Sequence, residues 1–147
     1  MIDFEITNTM TPEEYMEMRR MVGWGLFPLE QAAEGLNNSF ILLCLRRNSK
    51  PIGLGRVVSD RGYIYYIADI LVCPEYQGQG LGRVIMEMIM KDIRDSLRPA
   101  YRAMISLSSA KGKEGFYNKF GFLNRPNEDV GCGMYQWIEN CTDARDE

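Results

Sequence analysis

Residues 73–93 read CPEYQGQGLGRVIMEMIMKDI, with three glycines inside the five positions 78–82 and a long apolar, helix-like run directly after them. A glycine inside a helix costs about 1 kcal/mol relative to alanine, so their concentration at a helix start needs a reason. The preceding stretch YIYYIADILV (63–72) has the apolar, β-branched character of a strand, and the helix is expected over 80–97. Glycines at such a strand–loop–helix junction let backbone N–H groups point outward with no Cβ in the way. The free N–H groups of the helix's first turn, at the positive end of its dipole, then favour a phosphate.

Spacing narrows the choice of phosphate ligand. A P-loop requires G-x-x-x-x-G-K-S/T, and neither the lysine nor the hydroxyl is present. A dinucleotide fingerprint requires G-x-G-x-x-G; Gly78 and Gly80 begin it, but Arg83 stands at its third glycine. Neither nucleotide motif fits.

Composition sets the outer bounds. A chain of 147 residues, 46% hydrophobic, suits a single domain over 1–147 with a real core. A net charge of −3 argues against a nucleic-acid partner. The start MIDFEITNTM has neither a basic nor an apolar signal region, and no apolar run approaches the roughly 20 residues of a membrane span. A cytoplasmic protein with no membrane partner is therefore expected. Cys44, Cys73, Cys132 and Cys141 form no C-x-x-C pair, and the chain has no histidine, so no metal is expected and a serine–histidine triad is excluded. Three of the four cysteines sit among apolar neighbours as small core residues, and all four are expected to be free thiols.

Working outward, FEIT (4–7) reads as a short strand, and Thr11-Pro12-Glu13-Glu14 as a helix start with cap, proline and capping-box glutamate. Helices are expected over 12–22 and 29–36. Strands follow over 39–47, 52–60 and 63–72, turning at Asn48-Ser49-Lys50-Pro51 and Arg61-Gly62 as an antiparallel meander. After the long helix come a strand (102–110), a short helix (112–120), a closing strand MYQWIEN (134–140) and a polar tail over 140–147. The pattern is that of an α/β or α+β sheet domain.

Gln77-x-x-Gly80-x-Gly82 resembles the pyrophosphate loop, Gln/Arg-x-x-Gly-x-Gly/Ala, of the GNAT superfamily of acetyl-coenzyme A-dependent N-acetyltransferases. ADILVCPEYQGQGLGRVIME is similar to that family's fourth strand, loop and third helix in order, and GFYNKFGF (115–122) resembles its second motif at the expected distance. GRVVSD (55–60) matches the hairpin that precedes the strand, and RPNEDVGCGM (125–134) is similar to one small bacterial branch. The resemblance is strong over about 50–125. One departure is Ala110, where many relatives carry an asparagine that contacts the coenzyme.

The resemblance implies a mainly antiparallel, twisted mixed sheet flanked by helices and splayed at its fourth and fifth strands. It implies acetyl-coenzyme A as acyl donor, with the pantetheine lying along the backbone of Ile70, Leu71 and Val72 like an added strand. Gln77, Gly78, Gln79, Gly80, Leu81, Gly82 and Arg83 would bind the coenzyme, the amides of 77–82 taking its pyrophosphate. A primary amine, on a small molecule or a peptide, would attack the thioester directly, with a backbone N–H near Leu71 holding the oxyanion. Tyr117 would protonate the departing thiolate.

Asp69, a lone carboxylate in an apolar strand, reads either as the base that takes the amine's proton or as half of a structural ion pair. Tyr63, Tyr65 and Tyr66 read as core and pocket wall. Arg83, Lys111, Lys113 and Lys119 read as solvated, or as partners of the coenzyme's 3′-phosphate. A catalytically silent acyl-coenzyme A sensor is the alternative function, and a homodimer stays open.

Overall fold

The computed structural model describes residues 2–140, and one unit of the chain, Met1–Ser108, is built on a five-stranded sheet in the order β1-β2-β3-β4-β5. β1 is Glu5–Thr7, β2 Ile41–Arg47, β3 Lys50–Ser59, β4 Ile64–Val72 and β5 Met104–Leu107. The first four strands pair antiparallel, and β5 joins β4 in parallel. α1 (Pro12–Met21), α2 (Leu29–Asn37) and α3 (Leu81–Ser96) complete the unit. This is the mixed, mainly antiparallel sheet that the resemblance implies.

Local chemistry explains the element ends. Thr11 Oγ1 accepts from the Glu14 N–H at 3.1 Å, and the Thr11 N–H donates back to Glu14 Oε1 at 3.0 Å, closing the expected capping box. Arg46 Nη1 donates to Glu14 Oε2 at 2.6 Å, joining α1 to β2. That guanidinium holds the Glu14 carboxyl down at about 2 from an ordinary 4.5. The pair thus stabilises the fold above pH 4.5 and is lost as pH falls through about 2. Asn48 and Ser49 both take positive φ, 50° and 66°, so β2 and β3 meet through a two-residue primed turn. Lys50 and Pro51, expected in that turn, therefore belong to β3, with Pro51 opposite Arg46 and next to the bulge that leaves Ile52 without a partner in β2.

The sheet carries a different layer on each face. Leu54, Leu71, Cys44 and Cys73 pack with Met10, Tyr15, Met18, Ala32 and Leu36, which come mainly from α1 and α2. Residues alternate in facing along a strand, so Gly53 and Gly55 face the other way, against α3. The buried stripe of α3, Leu81, Ile85, Met86, Ile89 and Ile93, lies on that side. A Cβ on Gly55 would stand 2.6 Å from Ile85 Cγ2 and 2.7 Å from Ile89 Cδ1, so these strand glycines set how close α3 comes.

Pairing ends early at one edge. Arg56 opposes Asp69 and Val57 opposes Ile67, leaving Ala68 as a bulge in β4. β5 pairs with β4 only from Ile64↔Met104 to Ile67↔Leu107. Beyond Ile67 the β5 side of β4 is open, and this is the expected splay.

The other unit, Ser109–Glu147, contains α4 (Glu114–Asn118) and a group of aromatic rings. Phe116 meets Tyr117 and Phe120 edge-on at 5.0 and 5.4 Å, and Tyr117 meets Phe122 at 6.4 Å. The helix is shorter than 112–120: Gly112 takes a positive φ of 86° ahead of it, and Phe120 and Gly121 donate to the carbonyls three residues back, Tyr117 and Asn118, in turns that end it. The expected closing strand does not form: residues 134–140 join no ladder, and Met134, Tyr135 and Ile138 are exposed. Alternating apolar residues make a strand only where a neighbouring strand receives them. Cys141 and all of the expected tail except Asn140 lie outside the described residues.

Gly55→Ala should cost roughly 1–3 kcal/mol through overpacking against Ile85 and Ile89. Gly53→Ala should cost less, since its nearest neighbour is the flexible Ile85 Cδ1 at 3.1 Å. Urea unfolding midpoints measure both, and a Gly55→Ala midpoint equal to wild type would contradict the close α3 contact.

Candidate active site

The loop between β4 and α3 has the conformation its glycines suggest. Gly78 and Gly80 take φ of 76° and 85°, the left-handed region that other residues enter at a cost. A Cβ on either would meet nothing within 4 Å, so backbone angle, not crowding, requires glycine, and the loop surface is open. Gly80 caps α3 with no side-chain hydrogen bond, and the N–H groups of Leu81, Gly82 and Arg83 begin the helix without intrahelical acceptors. Such a concavity of amides suits a pyrophosphate. A 3-10 turn at Pro74–Tyr76 leads into it.

Two loop side chains have roles the sequence did not reveal. Gln77 Nε2 donates to the Val72 carbonyl at 2.9 Å, latching the loop to the end of β4. Gln79 Nε2 donates to the Glu75 carbonyl at 3.4 Å. Arg83 pairs with Glu87 at 2.7 Å on the exposed side of α3, as a solvated residue does.

The open edge of β4 follows from its ladder. The Cys73 N–H donates to the Ile52 carbonyl at 2.9 Å, toward β3. Backbone direction alternates along a strand, so Leu71 also turns its N–H toward β3, opposite Leu54. Ile70 and Val72 turn theirs toward the splay. Leu71's own amide belongs to the ladder, so the unpaired N–H groups near it are those of Ile70 and Val72.

Asp69, buried at 4% exposure, lies at the centre of a charged cluster. Its Oδ2 accepts from Tyr15 Oη at 2.7 Å and from Arg56 Nε at 2.7 Å, and its Oδ1 accepts from Arg19 Nη1 at 3.4 Å. Arg56 Nη1 continues to the Gly35 carbonyl at 3.3 Å. The Arg19 guanidinium lies over the rings of Tyr15, Trp24 and Phe27, with its Nε donating to the Gly25 carbonyl at 2.7 Å. Burial, and then the Asp69 charge, push the Tyr15 phenol above its ordinary value, so it stays a donor. Of the two readings open for Asp69, this geometry is that of the ion pair.

In the other unit Tyr117 is half-buried, and burial raises its phenol above the ordinary 10, so it keeps its proton at neutral pH. Lys111, Lys113 and Lys119 are exposed, as expected of solvated side chains.

The family model of the acetyltransferase (GNAT) domain matches residues 9–134. The chain belongs to the GNAT acetyltransferase family. The domain is 34% identical over 118 residues to an "Uncharacterized N-acetyltransferase ycf52" of Pyropia yezoensis, covering 78% of this chain and 66% of that protein. A protein of the same name from Porphyra purpurea is 31% identical over 140 residues, covering 90% of this chain and 78% of the relative. A crystal structure from Meticillin-resistant Staphylococcus aureus, named "Probable Acetyltransferase", superposes with a TM-score of 0.82 at 34% identity. That match covers 92% of this chain and all (100%) of the other.

In this GNAT domain the usual asparagine position holds Ala110, whose carbonyl accepts from the Lys113 N–H at 3.0 Å and whose methyl offers no amide. Among the described residues no three His, Cys, Asp or Glu side chains gather as a metal site, and no helix is long and apolar enough to cross a membrane. Burial raises the thiols of Cys44 and Cys73, which are free, as is exposed Cys132.

If Asp69 anchors the cluster, Asp69→Ala should destabilise by roughly 3–5 kcal/mol, since it strands two partly buried arginines. Thermal melting tests this. A variant with wild-type stability and a lost rate would instead make Asp69 the base.

Proposed function

We propose that this domain transfers the acetyl group of acetyl-coenzyme A to a primary amine by direct attack on the thioester. The observation that carries the reading is the left-handed Gly78–Gly80 turn opening α3 beside a strand edge whose Ile70 and Val72 amides lack a partner strand. The names of the relatives, N-acetyltransferases, support the same chemistry.

The amides of 78–83 would hold the pyrophosphate, and the free edge at Ile70 and Val72 would take the pantetheine as an extra strand. When bound, the coenzyme supplies an activated acyl group and a thiolate leaving group. An Ile70 or Val72 N–H stabilises negative charge on the reacting carbonyl oxygen. Tyr117, protonated at pH 7, gives its proton to the leaving sulfur; its phenol exceeds the thiol's ordinary pKa of about 8.5, so transfer follows charge build-up. Asp69, with its donors, orders β4 beside the reacting atoms, and bulk water takes the amine's proton.

The test is release of free thiol from acetyl-coenzyme A across a panel of amines, with wild type and Tyr117→Phe. Wild type should turn over at least one amine, and its rate should rise from pH 7 to 9 as the amine deprotonates, with no fall from Tyr117. Tyr117→Phe should lose roughly 10–10³-fold in kcat with little change in KM for acetyl-coenzyme A. Tight coenzyme binding with no turnover by wild type would favour the sensor function. A variant at the wild-type rate would remove Tyr117 from the chemistry.

A further inference from the structure

We infer that the hydroxyl pair Tyr66–Ser108, at the mouth of the splay between β4 and β5, is the contact that receives the acceptor's amine nitrogen; this rests on the acetyl-transfer reading above. Tyr66 Oη donates to Ser108 Oγ at 3.2 Å. The parallel ladder ends at Ile67↔Leu107, so Ser108 is the first residue beyond β5, where the two strands separate. The pair therefore spans the vertex from which the open edge at Ile70 and Val72 begins.

The register decides which way the pair looks. Arg56 and Val58, two apart in β3, share a face, and their partners across the ladder are Asp69 and Tyr66. Tyr66 thus lies on the same sheet face as the Asp69 cluster, on the side of α1 and α2. Asp69 and Tyr66 differ in access. Asp69 is sealed and both its oxygens already accept hydrogen bonds, whereas Tyr66 is 36% exposed. Its neighbour Tyr65, on the opposite face, is buried at 3% and meets Phe40 edge-on, as a core tyrosine does.

The chemistry of two linked hydroxyls fits an amine. With its proton directed to Ser108, the Tyr66 oxygen keeps lone pairs that accept from an N–H donor, and Ser108 keeps its own proton for water. An ammonium or amine nitrogen offers the donors, and two neutral hydroxyls can hold it without fixing a counter-charge that would oppose loss of its proton. An acyl acceptor with a hydroxyl nucleophile would also fit the pair, so the assay includes both classes.

The experiment compares wild type, Tyr66→Phe, Ser108→Ala and the double variant on an amine that wild type acetylates, beside the alcohol of the same skeleton. Tyr66→Phe keeps the ring and should lower kcat/KM for the amine roughly 10–100-fold, the loss of one hydrogen bond to a charged group. The melting temperature and the KM for acetyl-coenzyme A should stay at wild-type values, which a merely structural role for the hydroxyl would not require. The double variant should be little worse than Tyr66→Phe, because the two hydroxyls act as one unit. Wild-type kinetics from Tyr66→Phe, a loss that falls on coenzyme KM, or preferred turnover of the alcohol would each overturn the assignment. Absence of turnover by wild type on every amine would overturn it together with the reading on which it rests.

Discussion

A carboxylate in the middle of a sheet costs several kcal/mol to desolvate unless donors surround it, and much of this fold is arranged to surround one. Asp69 of β4 takes hydrogen bonds from Tyr15 and Arg19 of α1 and Arg56 of β3. Arg56 reaches on to the carbonyl of Gly35 in α2, and Arg19 to that of Gly25 between the helices. One anion thereby fixes the two helices and the segment between them against the central strands. The apolar cluster around Leu54, Leu71 and Met18 supplies bulk burial on the same face, but a cluster of aliphatic side chains specifies geometry less sharply than forked guanidinium bonds.

That anchoring matters because β4 changes character at this point. Ala68 bulges immediately before Asp69, and the parallel ladder with β5 stops at Ile67. A strand that loses its neighbour on one side would ordinarily be a loose edge. Here β3 holds one side through the Leu54↔Leu71 pair, α3 packs on glycine-thinned strands, and Gln77 ties down the carbonyl of Val72. What stays open is a short row of amides leading into a turn of left-handed glycines, beside a helix N-terminus. Rigid surroundings and an unfilled edge are the combination that an extended, phosphate-bearing ligand needs.

Local chemistry was legible in the sequence, and long-range partnership was not. The capping box at Thr11 and Glu14, the three-strand meander, and the start of α3 at the glycine loop rest on neighbours within a few residues, and all are present. Asp69 could be flagged as an unusual strand carboxylate, yet its partners lie 54, 50 and 13 positions away. The alternation in MYQWIEN carried a strand signal, but a ladder needs a second strand, and residues 134–140 have none in the described chain. The reason for Gly53 and Gly55 within β3 lies in Ile85 and Ile89 of α3, far along the chain. The Tyr66–Ser108 bond joins residues 42 apart, each unremarkable alone.

Amide hydrogen exchange with and without saturating acetyl-coenzyme A tests the coenzyme site most directly, because it reads the backbone groups themselves. Exchange should slow at residues 78–83 and at Ile70 and Val72, while β1 and β2 are unaffected. Gly80→Val, which forces a β-branched residue into the left-handed region, should abolish the slowing at the loop. Unchanged exchange across 78–83 in the wild type, at a coenzyme concentration that saturates binding, would contradict the account.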